Sequence, residues 1–410
     1  MTLRALIAGT FDVDNYGDLL FPLVAAHRLA PHGIEVVPVS PTDRPVARLP
    51  DAPQPIGVAE MLSGTGPLDG ILIGGGYIVH KIPAATLAEY TGAGVADWAY
   101  PGLWIGATLA GALRDVPVIW NAPGVPFPFG GAGRRALIGD ALHAGSHLCV
   151  RDPGSAEFLE PAYGSPVPVV PDTVLGLARL WTVDELSALH ADLLKLAGLP
   201  AGTRTLALHV RPRSLGALGP AELAGQIDRI TADLGLVPLL VAIGPSFDDG
   251  ALARDIAGRL TGPHICLDAP ASLRQTAAAI AGSTGYVGAS MHGYVTAAAY
   301  DVPGVMVARP AHRKYSGLVG QLGRPADLVR DWAEAFEPLA RNLAAPAGPV
   351  IPAAVHQALD RHWQTVARIL QDGDPARRPR QRRFLARYML QGLRGQGADW
   401  LFQPFVRGAA

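Results

Sequence analysis

The chain has 410 residues with a net charge of only -1. That length exceeds one ordinary core and predicts roughly two domains, while the absence of a basic excess excludes a dedicated nucleic-acid binder. Cys149 and Cys266, the two cysteines, form neither a metal-ligand spacing nor a disulfide framework, so a reducing compartment is expected. Asp12 and Asp14 come too early for a secretory leader, and with no run of about 18 uncharged apolar residues no membrane span is expected.

Leu3–Gly9 reads as a buried first strand, followed by a polar loop, Thr10–Asp18, and helical spacing over Leu19–Leu29 with Asp18 placed to cap it. Strand, glycine-containing loop and helix can cradle a nucleotide or phosphate. The loop is neither G-x-G-x-x-G nor a Walker motif, so dinucleotide and P-loop chemistry are unsupported, and Asn15, Gly17 and Asp18 also read as plain turn and cap residues. Ile34–Val39 is a second strand, and Pro41–Gly57 a proline-rich loop of little order. The strand over Asp69–Gly76 ends in Gly74-Gly75-Gly76, which lets backbone approach a ligand or another loop closely. A helix across residues 102–113 leads to a strand at Pro117–Ala122 and then to a loop, Pro123–Gly133, of the kind that shapes a pocket mouth. Ser146–Arg151 reads as another strand with Arg151-Asp152 at its end, a helix begins over Ser155–Leu159, and Val167–Val170 leads into Pro171-Asp172-Thr173. At least five short strands separated by helices make this half α/β.

After a helix over Thr182–Ala197 the rhythm resumes. Strands are expected at Thr205–Val210, ending in Arg211-Pro212-Arg213, at Val237–Ile243, ending in Gly244-Pro245, and at His264–Leu267. Helices are expected at Pro220–Leu234, Ala251–Leu260 and Ser272–Ala281. Gly282–Ala308 then gives strand, tight turn, helix and strand, with His292 where the first strand ends and the helix begins. Open parallel sheets bind ligands outside the carboxyl ends of their strands, and helix N-termini favour anions. His292 is thus either an acid or base facing an anionic substrate or a capping, packed histidine. Beyond residue 310, Ala311–Tyr315 reads as a charged loop, Leu339–Pro352 as a linker and His356–Gln371 as a helix. The tail from Asp374 interleaves Arg377, Arg378, Arg380, Arg382, Arg383, Arg387 and Arg394 with Phe384, Leu385, Tyr388 and Met389 at helical spacing, which suits either an anionic lipid surface or packing on a domain.

Taken together, the loop Asn15–Asp18, Gly74-Gly75-Gly76, Arg151-Asp152-Pro153 with Ser155, Pro171-Asp172, and Gly288–Gly293 with Ala297–Pro303 resemble the polysaccharide pyruvyl transferase family in order and spacing over roughly residues 7–308. The resemblance implies a glycosyltransferase-B-like pair of Rossmann-like α/β domains facing a cleft. An acceptor-side domain spans residues 1–178 and a donor-side domain residues 200–340; residues 341–410 form a linker, a helix and the basic tail. It implies a cytoplasmic enzyme, peripheral at most to the inner membrane face, that moves the pyruvyl group of phosphoenolpyruvate onto two hydroxyls of a sugar, giving a cyclic ketal and phosphate. The acceptor is then a cell-surface polysaccharide or its lipid-linked precursor, with no further cofactor.

Phosphoenolpyruvate carries a carboxylate and a phosphate, which bidentate arginine suits, and enol protonation calls for a general acid and a base. His292 resembles the family's catalytic histidine. Arg211 is the leading anion clamp with Arg213 behind it; Arg151, which also suits pairing with Asp152, and His209 are further candidates. Asn15, Gly17 and Asp18 are expected on the acceptor or in organising the first loop, and Gly75 and Gly76 where backbone meets ligand. Arg313-Lys314 reads either as a pair closing over the donor or as a solvated loop. In the family an arginine commonly stands two residues before the histidine; here Ser290 takes that place, so anion binding is supplied elsewhere, as by Arg211, Arg213 or Arg313, or the donor has changed or activity is lost. No acidic cluster has metal-ligand spacing, so no essential metal is expected. The competing readings are a glycosyltransferase using a sugar nucleotide and a non-catalytic subunit in envelope-polymer assembly.

Overall fold

The computed structural model describes residues 2–244 and 248–400, apart from the side chains of residues 132–134. Pro245 and the last ten residues of the basic tail lie outside the described residues. Two parallel sheets carry the chain. The first contains β1 (Leu3–Ala8), β2 (Ile34–Ser40), β3 (Ile56–Gly57), β4 (Gly70–Ile73) and β5 (Val118–Trp120), in the order β3-β2-β1-β4-β5. The second contains β6 (Thr205–His209), β7 (Val237–Val241), β8 (Ile265–Leu267), β9 (Gly285–Gly288), β10 (Gly304–Val307) and β11 (Leu328–Val329), in the order β11-β10-β9-β6-β7-β8. Central strands such as Ala5–Ala8, Leu206–Leu208 and Val305–Val307 are apolar and buried because helices cover both sheet faces. Strand order reverses at β1/β4 in one sheet and at β6/β9 in the other. In doubly wound sheets, the crevice at such a reversal is where ligands bind.

Several elements differ from the sequence expectation. Ser146–Arg151 forms no ladder strand: Ser146 N–H donates to Val118 O at 2.7 Å, and His147 and Val150 make isolated bridges to Ile119 and Val169. The fifth strand of that sheet is instead β3, inside the loop read as poorly ordered, whose Val46, Leu49 and Ala52 are buried. The first helix is Tyr16–Leu29; Asn15 occupies its cap position and Asp18 lies in its first turn. The segment read as a charged loop continues into a helix, Arg313–Gln321, capped by the His312 side chain, and the expected linker begins with a helix, Phe336–Ala344.

The helix Ala353–Asp372 returns to the first sheet. Val355, Leu359, Trp363 and Val366 share one apolar core with Leu19, Leu29 and Leu72, and Arg28 and Arg179 both pair with Asp360. Arg377–Gln396 then packs on the helices Ala107–Arg114 and Ala132–Ala144 with Phe384 wholly buried. Its arginines meet acids there: Arg377 and Arg378 pair with Asp115, and Arg383 and Arg387 with Asp140. Domain packing therefore occupies much of the basic face, while Arg382 and Arg394 remain exposed beside Met389 and Leu390. Among the described residues no helix is long and apolar enough to cross a membrane.

Candidate active site between the two sheets

The carboxyl ends of the two reversal points face each other across a cavity of about 280 Å³. The β1 loop and following helix supply Thr10, Asn15 and Asp18; the glycine loop after β4 supplies Gly76, Tyr77 and Ile78. Tyr100 and Arg151 complete the first half's wall. From the second half come Arg211 after β6, Ser290, Met291 and His292 after β9, and Lys314 and Tyr315 beyond β10. The halves are stitched beside it: Tyr16 N–H donates to Ile243 O at 3.0 Å, and the Tyr16 and Thr296 hydroxyls are 3.0 Å apart. Gly17 lies directly against the His292 ring, where an added Cβ would stand 1.9 Å from Nδ1. A glycine is required there by this close approach, since its φ gives no reason of its own.

His292 sits in the first turn of the helix Met291–Ala299, whose N-cap Ser290 accepts from Gly293 N–H at 3.2 Å. Its Nε2 lies 3.6 Å from Asp172 Oδ2, and its ring meets Phe21 edge-on at 5.4 Å. Asp172 accepts a hydrogen bond from Arg151 Nη1 at 3.2 Å. Burial favours the neutral acid of Asp172, but His292, Arg151 and the Val174 N–H outweigh it and hold the carboxyl below its ordinary range. Arg151, only 4 % exposed, lies over the Tyr77 ring at 4.3 Å. Asp152 serves the fold, accepting from Ser155 N–H at 2.8 Å as a helix cap. Asp18 accepts from Thr10 Oγ1 at 3.0 Å and Asn15 Nδ2 at 2.8 Å, which fixes one carboxylate on the cavity wall. Lys314 is strongly perturbed among the cavity's lining groups. Burial, then Arg151 and Arg211, push its ammonium down to about 7, with Asp18 opposing them.

The cavity thus gathers Asn15, Asp18, Gly76, Arg151, Arg211, Ser290 and His292 from the sequence candidates. Gly17 and Gly75 stand behind it, Gly75 at a φ of 109° against Phe11 and Phe21. Arg213 is exposed and lines none of it. His209 is buried with its Nε2 2.8 Å from Asp249 Oδ2, a structural pair beneath β6. Arg313 stacks on Phe158 at 3.7 Å, outside this cavity. Sequence reading passed over Tyr77 and Tyr100 and left Lys314 undecided. One signal did exist: in an arginine-rich chain, Lys314 is one of only three lysines, with Lys81 and Lys195. Ser290 caps its helix with a short side chain, and Arg211, following the adjacent strand β6, lines the same cavity.

The sequence model of one family, polysaccharide pyruvyl transferase, matches residues 15–310. The chain belongs to that family. The match runs from the Asn15 loop through His292 and ends just before Lys314. Among functionally curated proteins none matches the chain in sequence. Solved structures share its fold: MnaA of S. aureus in complex with UDP has 12 % identity and a TM-score of 0.54, over 91 % of this chain and 98 % of that one. A putative UDP-N-acetylglucosamine 2-epimerase from Listeria monocytogenes gives 14 % and 0.53, over 92 % and 99 %. UDP-GlcNAc 2-epimerase from Methanocaldococcus jannaschii gives 12 % and 0.53, over 91 % and 100 %. At such identities the likeness is one of fold: two Rossmann-like domains around a cleft in the glycosyltransferase-B-like manner.

Proposed function

We propose that this family member transfers the pyruvyl group of phosphoenolpyruvate to two hydroxyls of one sugar in a cell-surface polysaccharide or its lipid-linked precursor, forming a cyclic ketal and releasing phosphate. The observation that carries the reading is the meeting of Arg151, Arg211 and Lys314 around His292 in one small cavity. Two arginines, with a lysine shared between its charged and neutral forms, against the cavity-lining carboxylate of Asp18 favour a small, multiply charged anion. Arg151 and Arg211 hold the donor's carboxylate and phosphate. His292, oriented by Asp172, gives a proton to the methylene carbon, and the first sugar hydroxyl adds to the carbon bearing oxygen. Lys314, poised near neutrality, takes the proton from that hydroxyl. The second hydroxyl then displaces phosphate, and its proton leaves with the phosphate. Asn15 and Asp18 face the acceptor. No metal or cofactor enters this sequence. The enzyme works in the cytoplasm, with Arg382, Arg394, Met389 and Leu390 as the outward face that would touch an anionic membrane.

The test is ligand-induced thermal stabilisation with phosphoenolpyruvate and a panel of sugar nucleotides, on wild type, His292→Ala and Arg211→Ala. A ligand that binds only the folded state raises the midpoint by mass action. A shift with phosphoenolpyruvate that Arg211→Ala abolishes supports pyruvyl transfer. A shift only with a sugar nucleotide, the ligand class of the fold neighbours, replaces it with glycosyl chemistry. No shift with any leaves a non-catalytic subunit.

A further inference from the structure

On the far side of β5 from the cavity, three ligand-bearing side chains converge. His147, Cys149 and His362 each offer one ligand atom, and these atoms lie within 4.8 Å of one another. The first two stand on the segment running along the edge of β5; the third comes from the returning helix Ala353–Asp372. We propose that this cluster is a metal site, binding one divalent ion of zinc's class and pinning the returning helix to the first sheet. The inference is independent of the donor used in the cavity.

The donor set is the first argument. One thiolate and two imidazoles suit a borderline-soft ion such as zinc and not calcium or magnesium, which take oxygen. Geometry is the second. Zinc bond lengths place tetrahedral ligand atoms about 3.4–3.6 Å apart, and Cys149 Sγ to His362 Nδ1 is already 3.8 Å. The third is orientation. His362 Nε2 lies 2.8 Å from Asn121 Oδ1; donating there leaves the Nδ1 lone pair facing Cys149, as an outer hydrogen bond does for zinc-bound histidines. Finally, His147 Nε2 is a buried nitrogen without a hydrogen-bond partner, a cost that coordination of His147 would offset. Cys149 and His362 are buried while His147 is partly exposed, so an ion enters from the His147 side, where water completes four-coordination. Binding forms a metal–sulfur bond and breaks the Cys149 S–H bond, the proton passing to solvent. Sequence spacing hides the site, because His362 stands 213 residues after Cys149.

The experiment uses the full chain, assayed for metal as purified, then stripped with chelator and titrated with zinc or cobalt(II). Expected are one equivalent per chain, a higher melting temperature with zinc, and a thiolate-to-cobalt charge-transfer band. Cys149→Ser and His362→Gln lose the band, and Cys266→Ser keeps it. Absence of bound metal together with no zinc-dependent melting shift in wild type overturns the proposal, as does a cobalt band that survives Cys149→Ser. The wild-type titrations decide the matter even where a variant fails to fold.

Discussion

Gly17→Ala offers the sharpest test of how the two halves build the site. An alanine Cβ there would stand 1.9 Å from His292 Nδ1 and 2.3 Å from Cγ, whereas ordinary contact begins near 3.4 Å. The imidazole, or the whole second half, must retreat by about 1.5 Å to accept a normal contact. Overpacking of this kind costs about 1–3 kcal/mol, and the better helix propensity of alanine returns up to about 1 kcal/mol. The net loss of stability is therefore modest, on the order of 1 kcal/mol. Catalysis pays more, since displacing a catalytic group by about 1 Å costs about 100-fold in rate. Phosphate release from phosphoenolpyruvate with acceptor, measured beside thermal melts, should show that split: a small fall in melting temperature and about a hundredfold fall in kcat/KM. Gly225→Ala is the control, because an added Cβ there meets nothing within 4 Å, and it should leave activity intact. A Gly17→Ala enzyme within twofold of wild type would refute the claim that His292 is held in place from across the cleft.

Lys314→Met should abolish turnover while Arg151 and Arg211 still hold phosphoenolpyruvate, and it should also change the pH profile of the empty protein. Because the folded-state ammonium is pushed to about 7 from the ordinary 10.5, the unfolded chain holds that proton more tightly. Wild-type stability should therefore rise across this window, and Lys314→Met should flatten the rise between pH 7 and 9; equal slopes in both would refute the assignment. Asp172→Asn removes the closer of two carboxylates paired with the buried Arg151, leaving Asp152 at 3.9 Å, and should cost about 3 kcal/mol in melts, along with most activity; an unchanged melting temperature would count against the pairing. Phe384→Ala, at a fully buried ring, should cost about 3 kcal/mol of docking and expose residues 377–396 to limited proteolysis. Unaltered cleavage there would mean the helix is held by its ion pairs instead. Removing residues 375–410 should reduce sedimentation with anionic liposomes, and equal sedimentation would remove the membrane contact.

The parts legible in sequence were those whose signal is local. β1, β6, β9 and β10 are apolar runs because both faces are covered, and His292 stood out because strand, turn and helix are adjacent in the chain. Ser146–Arg151 has a strand's composition, yet it sits beside the three-residue β5, too short a partner for a continuous ladder. Asp18 looked like a cap because the apolar spacing starts after it; the helix begins earlier since Tyr16 and Gly17 are buried against the other half. The arginines of the tail announce charge but not the acids opposite, Asp115 and Asp140, which lie far away in sequence. Lys314 gains its character from burial and from Arg151 and Arg211, which come from segments far from it in the chain.

The seam between the halves bears on how molecules come and go. Tyr16 bonds to Ile243 and Thr296 on one flank. Asp51 accepts from the backbone N–H groups of Leu273 and Arg274, and Gln321 donates to Arg151 O. Parting the halves would break these bonds together, including main-chain ones that no rotamer change can remake. A route for exchange that keeps these bonds is the open side of the cavity, where Asn15, Asp18, Tyr77, Tyr100 and Lys314 are part exposed. Under the proposed function, an acceptor would dock at that open side without threading between the halves.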